Sequence, residues 1–207
     1  MGDARQSLSW LTVGMLAAVV AGAAALGVAQ APVTGTLGDA VTNTLDAPNY
    51  NEVASEKTPQ GSETAYLTYQ APDRLGGYVE SGGRRTYIYF LGTVEYQSTT
   101  VSSKDSVKHL TFYRETIPGG SAADPAHTYL KLYSEGKNKK QSGNTTTMDL
   151  DEEGQTVALT YTVSGQYVAE FNGSEQGANI HLVIAQVGSA PPVKLPAGAK
   201  VVGVPNG

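Results

Sequence analysis

The sequence predicts an α+β protein in which a mostly antiparallel sheet carries one short N-terminal helix and one helical insertion. Apolar and polar residues alternate along many short segments, and these segments end at turn residues such as Gly, Pro and Asn. Helical spacing of apolar residues, three or four positions apart behind a capping residue, occurs in two places. These observations predict successive strands joined by tight turns, with the two helices as additions to the sheet.

Length, charge and cysteine content exclude several classes of protein. The 207 residues suit one domain with an appendage. The formal net charge of -5, with 14 Lys and Arg against 19 Asp and Glu, gives no reason to expect a nucleic-acid partner. The chain has no cysteine, so disulfides, thiolate metal sites, cysteine nucleophiles and a lipid-modified cysteine are all excluded.

Residues 1–29 are predicted to be a signal peptide or an N-terminal membrane anchor. The run from Trp10 to Ala29 has no charged residue and could span a bilayer, which requires roughly 20 residues. Gly27 and Ala29 place small residues where signal peptidase reads the chain, so cleavage and retention both stay open. A buried core helix is disfavoured by the terminal position. We therefore expect a single β-rich extracytoplasmic domain over residues 30–207, in the periplasm or cell envelope, secreted or membrane-anchored.

The first half of this domain is predicted to be a helix followed by a series of strands. Leu37, Val41 and Leu45 recur at a spacing of four, with Thr36 as the N-cap and Pro48 beyond the end. The segment 86–91 is apolar at nearly every position, which is typical of a central strand covered on both sides. The predicted strands are 50–58, 64–70, 75–80, 86–91, 94–98 and 107–114.

The second half begins with the helical insertion. Asp124 as N-cap and Pro125 at the first helical position predict its start, and Gly136 its end. The lysine-rich segment 137–140 is predicted to be a basic loop. The strands predicted after it are 144–150, 156–163, 166–171 and 178–187.

The sequence contains little that suggests catalysis or metal binding. His109, His127 and His181 are far apart, and none has a second histidine at metal-ligand spacing. The acidic run 149–154 lacks the spacing of a calcium loop and is expected to be a solvated turn. No Gly-x-Ser-x-Gly elbow or phosphate-binding glycine loop occurs. We therefore predict a protein that is not an enzyme and has no cofactor or metal.

Tyrosine is the most distinctive part of the composition, with 12 Tyr against 3 Phe and 1 Trp. A tyrosine ring is apolar while its hydroxyl is polar, which suits the wall of a groove that holds an amphipathic molecule. The same residue also suits an ordinary sheet core whose hydroxyls reach water. Composition alone favours the second interpretation, in which the tyrosines belong to an ordinary sheet core.

Four short segments carry a resemblance to a known family: 69–75, 92–98, 165–168 and 187–196. With the order of predicted elements, they resemble the actinobacterial exported proteins related to the LppX and LprG lipoproteins and, more distantly, the LolA and LolB lipoprotein carriers. The resemblance implies a half-open antiparallel barrel with helices on its concave side and acyl chains held between them. This chain departs from the lipoproteins because it has no cysteine to carry a lipid.

The resemblance leads to a functional hypothesis: an exported, non-enzymatic protein that binds or carries a lipid or other amphiphile in a sheet-lined cavity. Its expected partners are a lipid or acyl-chain ligand and, if the leader is uncleaved, the membrane through residues 10–29. An exported structural or protein-interaction module with a filled core is the alternative, and a hydrolase with a dispersed site ranks last. The predicted cavity wall comprises Leu67, Tyr69, Tyr87, Tyr89, Tyr161, Ile180 and Leu182.

Overall fold

A computed structural model describes most of the predicted domain. The residues it describes are 34–58, 61–105, 107, 110–117, 124–152, 155–175 and 178–203. The predicted leader, residues 1–29, lies outside them. In the part of the chain that is described, no helix combines the length and the apolar character that crossing a bilayer requires.

The described residues form two α-helices, one short 3-10 turn and a series of β-strands. The helices are α1 (Leu37–Leu45) and α2 (Pro125–Lys131), and the 3-10 turn is Leu132–Ser134. The strands are β1 (Asn49–Thr58), β2 (Gly61–Gln70), β3 (Arg74–Ser81), β4 (Arg84–Leu91), β5 (Val94–Ser98), β6 (Val101–Ser102), β7 (Thr111–Thr116), β8 (Lys137–Ser142), β9 (Thr145–Glu152), β10 (Gln155–Ser164), β11 (Tyr167–Glu175), β12 (Ala178–Ala185) and β13 (Lys200–Gly203).

All of these strands belong to one open sheet. Their order is β13-β7-β5-β4-β3-β2-β1-β12-β11-β10-β9-β8, and β6 pairs with β4 beside this path. Every pairing is antiparallel except that of β13 with β7. The predicted α+β class with a mostly antiparallel sheet is confirmed. The parallel pairing of the last strand was not predicted.

Capping explains why both helices begin where the sequence predicted. The Thr36 side chain accepts a hydrogen bond from the Asp39 N–H, and the Asp39 carboxylate accepts one from the Thr36 N–H at 2.8 Å. This reciprocal pair is a capping box, so the first turn of α1 has partners for its free amides. Asp124 caps α2 in the same way by accepting from the Ala126 N–H at 3.0 Å, with Pro125 at the first helical position.

The second helix ends earlier than predicted. Its α-helical part stops at Lys131 and continues as the 3-10 turn, rather than reaching Gly136 as a single helix. Gly136 is required for a different reason, because a β-carbon there would lie 2.1 Å from Met148 Sδ. The glycine thus allows the chain to pass close to the sheet.

The predicted basic loop 137–140 is wrong, because these residues begin strand β8. All six residues of β8 are exposed, and the strand lies at the edge of the sheet. Lysines are common on edge strands because they discourage pairing with another chain. An exposed edge strand and a loop have similar compositions, so the sequence did not distinguish them. Strand β7 is a smaller correction, since it begins at Thr111 rather than at 107.

Cross-strand pairing divides the side chains between two faces, because directly opposed residues point to the same side of a sheet. One face carries Tyr50, Leu67 and Leu182, and both helices pack on it. We call it the helix-side face. The other carries the directly paired tyrosines Tyr66 and Tyr78, and we call it the outer face.

Candidate functional site

The helix-side face has two regions that are covered differently. Over β9 to β12 the helices complete a main core in which Tyr161, Phe171 and Leu182 have no exposed surface. Over β2 to β4 lies a separate apolar patch, formed by Ala65, Leu67, Leu75, Ile88 and Phe90. Within the described residues, the other hydrophobic side chains that pack against this patch come from β1, β2 and β3, apart from Ile117, which follows β7. The patch is nonetheless buried, since its five residues are 3–7% exposed.

A buried polar cluster lies between the patch and α2. It consists of Tyr50, Glu52, Asp124 and His127. The Tyr50 hydroxyl donates to the Asp124 carboxylate and lies 2.8 Å from His127 Nδ1. Glu52 Oε2 accepts from the Ala126 N–H at 3.0 Å. These bonds tie the start of α2 to strand β1.

Burial controls the ionisation of this cluster. It raises the pKa of Glu52 well above its ordinary value, and the charge and hydrogen bonding of Asp124 add to the effect. Burial also raises the pKa of the Tyr50 hydroxyl, as do the charges of Asp124 and Glu52. Burial and the neighbouring acid Asp124 therefore both favour the protonated form of Glu52.

Sequence reasoning missed this cluster. His127 was interpreted as an isolated histidine, although Asp124 stands three residues before it at the start of a helix, where the two side chains face each other. That spacing was the available signal. The partners on β1 lie more than 70 positions away in sequence, and only the pairing of the sheet brings them under the helix.

Two directly opposed pairs of glutamates lie on the same face of the sheet as the patch. Glu56 and Glu63 are directly opposed on β1 and β2, and Glu95 and Glu115 are directly opposed on β5 and β7. Burial and the nearby charge of Glu63 raise the pKa of Glu56 to about 7. Burial and the charge of Glu115 raise the pKa of Glu95. Glu95 is buried and Glu56 half-buried, whereas Glu63 and Glu115 are exposed, so the rim of the patch combines buried and exposed carboxyl groups.

The outer face carries a groove of about 390 Å³. One wall is the pair Tyr66 and Tyr78, whose rings stack at 4.8 Å, and the other is the segment 192–194. The Val193 N–H donates to Gln70 Oε1 at 2.9 Å, which holds this segment against the sheet. Gly76 makes room for it, since a β-carbon there would lie 2.8 Å from Val193 Cγ1.

The structure distributes the seven residues of the predicted wall over both faces. On the helix-side face, Tyr161 and Leu182 are buried in the main core, and Ile180 packs at its border. Leu67 belongs to the apolar patch, and Tyr69 packs against both the patch and the main core. Tyr87 and Tyr89 lie on the outer face, where Tyr89 lines the groove. The set therefore does not form one continuous wall.

No metal centre is formed by the residues that the structure describes: nowhere among them do three or more His, Asp or Glu side chains converge to hold an ion. His181 points away from the apolar stripe of its strand, as predicted, and its Nε2 lies 2.9 Å from Glu170 Oε1 on the outer face. The groups that remain for ligand binding are the apolar patch, its carboxyl rim and the outer groove.

An open, mostly antiparallel α+β sheet with helices packed on one face is a fold that solved mycobacterial proteins also have. LprF from Mycobacterium bovis is similar with a TM-score of 0.52 and 11% sequence identity, covering 79% of this chain and 95% of that chain. The lipoprotein LppX from Mycobacterium tuberculosis is similar with a TM-score of 0.51 and 11% identity, covering 77% of this chain and 96% of that chain.

The expected resemblance to LppX is confirmed at the level of the fold. An identity of 11% shows the fold alone, so these structures do not assign a ligand to this chain. No protein-family model matches the chain, and no curated protein matches it. Function has to be argued from the site itself.

Proposed function

We propose that the protein is a non-enzymatic, extracytoplasmic carrier that binds the acyl part of a lipid or other amphiphile on the helix-side apolar patch. The observation that carries this proposal is the patch itself. Leu67, Ile88 and Phe90 belong to an apolar cluster that is separate from the main core. The fold shared with the lipoprotein LppX supports it.

The energetics of burial favour an acyl chain as the occupant. Apolar surface removed from water contributes about 25 cal/mol per Å² before the entropy of binding is subtracted. Leu67, Leu75 and Phe90 have no polar atom at their tips and are 7%, 3% and 7% exposed, so an acyl chain would have to replace side chains that now pack against them. The domain would extend over residues 30–207, and residues 1–29 would export it as a signal peptide or keep it at the membrane as an anchor.

Mass spectrometry of the full chain, extracted from its membrane or medium, tests this proposal first. We expect co-purifying lipid, and we expect the delipidated chain to bind a fluorescent fatty acid. Leu67→Asp should abolish that binding by placing a charge in the patch. Ile88→Trp keeps the patch apolar but fills it, and should abolish binding while circular dichroism remains that of the parent.

A matched control lies on the opposite side of the same strand. Tyr66 neighbours Leu67 but points to the outer face, where it is 39% exposed. Tyr66→Asp should leave binding unchanged. Loss of binding in Tyr66→Asp but not in Ile88→Trp would move the site to the outer groove. Flat titrations for several lipids, with no lipid in the extract, would exclude the carrier function.

The second candidate is an exported protein-interaction module. The exposure of Tyr66 beside the stacked Tyr78 favours it, because tyrosines are enriched at interfaces. In that case Tyr66→Asp should prevent capture of the partner, while lipid would be absent from the purified chain.

A further inference from the structure

A row of tyrosines crosses the outer face and stops at the groove. Tyr87, Tyr78 and Tyr66 are directly paired across β4, β3 and β2. The rings of Tyr66 and Tyr78 stack at 4.8 Å, and those of Tyr78 and Tyr87 lie 5.4 Å apart. The next position in the row, on β1, is Val53, which lines the groove. The row therefore ends at an aliphatic side chain, and the groove is open where a fourth ring would stand.

The exposure of Tyr66 agrees with this arrangement. Its side chain is 39% exposed, whereas Tyr87 at the other end of the row is 6% exposed. Among the described aromatic side chains, Tyr78 is the one that stacks on Tyr66. One face of the Tyr66 ring is therefore without an aromatic neighbour. Because aromatic rings prefer offset-stacked partners, a flat ring in the groove would gain a favourable contact with that face.

The charge at the groove is positive. Lys194 lies in the segment that forms the second wall, and Arg74 lies behind that segment, where its Nη1 donates to the Val193 carbonyl at 3.5 Å. Glu52 also borders the groove, but its carboxyl group is on the helix-side face, where it accepts from the Ala126 N–H. Among the described residues that line the groove, Lys194 is therefore the one whose charged group belongs to this face.

The neutral polar side chains of the groove already have partners. Thr68 Oγ1 donates to Asn51 Oδ1 at 2.8 Å, and the Asn51 amide donates to Gln186. These bonds hold the polar end of the groove in one arrangement. The Lys194 ammonium is thus the group that distinguishes a negative ligand from a positive one.

We propose that the outer groove is a second binding site and that its ligand is a planar aromatic acid. The ring would stack on the open face of Tyr66 above Val53, and the acidic group would lie beside the Lys194 ammonium. The volume of about 390 Å³ is within the range of small-molecule sites. An aromatic amine would gain the same stacking but would be repelled by Lys194. The inference is independent of the proposed carrier function, because the two sites lie on opposite faces of the sheet.

Two probes with the same ring system test the proposal: 2-naphthoate and 2-naphthylmethylammonium. In calorimetric titrations of the full chain, with the detergent alone as blank, naphthoate should bind about fivefold more tightly, the effect of one exposed charge contact. In Lys194→Gln, the two affinities should agree within about twofold. In Tyr66→Ser, the affinity for naphthoate should fall about fivefold, because the stacking contact is lost.

Two matched controls make the test specific. Tyr113 is also 39% exposed but lies on the helix-side face, so Tyr113→Ser should leave naphthoate binding unchanged. Lys57 is on the outer face at the far end of β1, so Lys57→Gln should leave the preference for the acid unchanged. Absence of naphthoate binding, equal affinities for the two probes, or equal losses in Tyr66→Ser and Tyr113→Ser would overturn the proposal. The carrier function would stand in each case, because fatty-acid binding tests it separately.

Discussion

The two halves of the helix-side face use the same sheet in different ways. Over β9 to β12, side chains from both helices fill the space, as Tyr129 and Phe171 do by stacking at 5.0 Å. Over β2 to β5, apolar residues stand beside the buried carboxyl group of Glu95, whose Oε1 lacks a hydrogen-bond partner. The first half is a core that the helices complete, while the second is an apolar cluster, 3–7% exposed, that stands beside an unpartnered carboxyl oxygen. The contrast locates the proposed site without any motif.

Truncation of a leucine in each half should give the largest effect and tests the contrast directly. Leu182→Ala should lower the free energy of unfolding by about 3–5 kcal/mol, because the surrounding side chains leave a cavity that cannot collapse. Leu67→Ala should cost about 2 kcal/mol, because the patch can relax or hydrate. Urea denaturation of the delipidated chain measures both. Equal losses would show that the patch is packed as tightly as the core.

Removal of one hydroxyl from each region should give an intermediate effect. The Tyr50 hydroxyl is shared by Asp124 and His127, so Tyr50→Phe should cost about 1–3 kcal/mol by leaving buried polar atoms without a partner. Tyr161 donates one bond of 3.0 Å to the Tyr129 carbonyl, so Tyr161→Phe should cost about 1 kcal/mol. Thermal or urea unfolding distinguishes the two values. A reversed order would mean that the polar cluster does not hold α2 to the sheet.

The smallest expected effect concerns pH. The pKa of Glu56 is about 7 in the folded protein, above its ordinary value of 4.5, so the folded state holds this proton more tightly than the unfolded state. The resulting stability is fully present below pH 4.5 and is lost as the pH rises through about 7. In Glu56→Gln, the free energy of unfolding should therefore fall less between pH 4.5 and about 7. The melting temperature of this variant at pH 8 should be slightly higher than that of the parent.

Glu63 provides the companion measurement. Its charge helps to raise the pKa of Glu56, so Glu63→Gln should also flatten the pH profile, though it leaves the burial of Glu56 in place. Melting curves of the parent and both variants at pH 4, 6 and 8 compare them. Parallel profiles in all three proteins would show that the rim carboxyls do not interact.

Local signals in the sequence were sufficient for the helices and for most strands. Thr36 and Asp124 are capping residues whose effect depends on the next few positions, and both helices begin at the residue after them. The alternation along β2 correctly placed Leu67 and Tyr69 on one face. Such patterns are fixed by the geometry of a single segment, so a single segment reveals them.

The candidate site could not be predicted in the same way, because it depends on register between strands. Alternation shows that Tyr87 and Tyr89 share a face, but not whether that face is the one that carries Leu67. The pairing of Gly77 with both Leu67 and Ile88 decides the matter and puts the two tyrosines on the other side. The polar cluster likewise unites Tyr50 with His127 only after the sheet has formed.

The pairing of β1 with β12 has a consequence for how the chain acquires its structure. Asn51 lies opposite Ala185, so the seam at the middle of the sheet joins the beginning of the described chain to a segment near its end. Closing so long a loop is entropically unfavourable, and chains dominated by distant contacts fold slowly. One edge of β1 must therefore stay unpaired during synthesis until β12 has emerged. During that interval the open edge exposes the chain to aggregation and proteolysis.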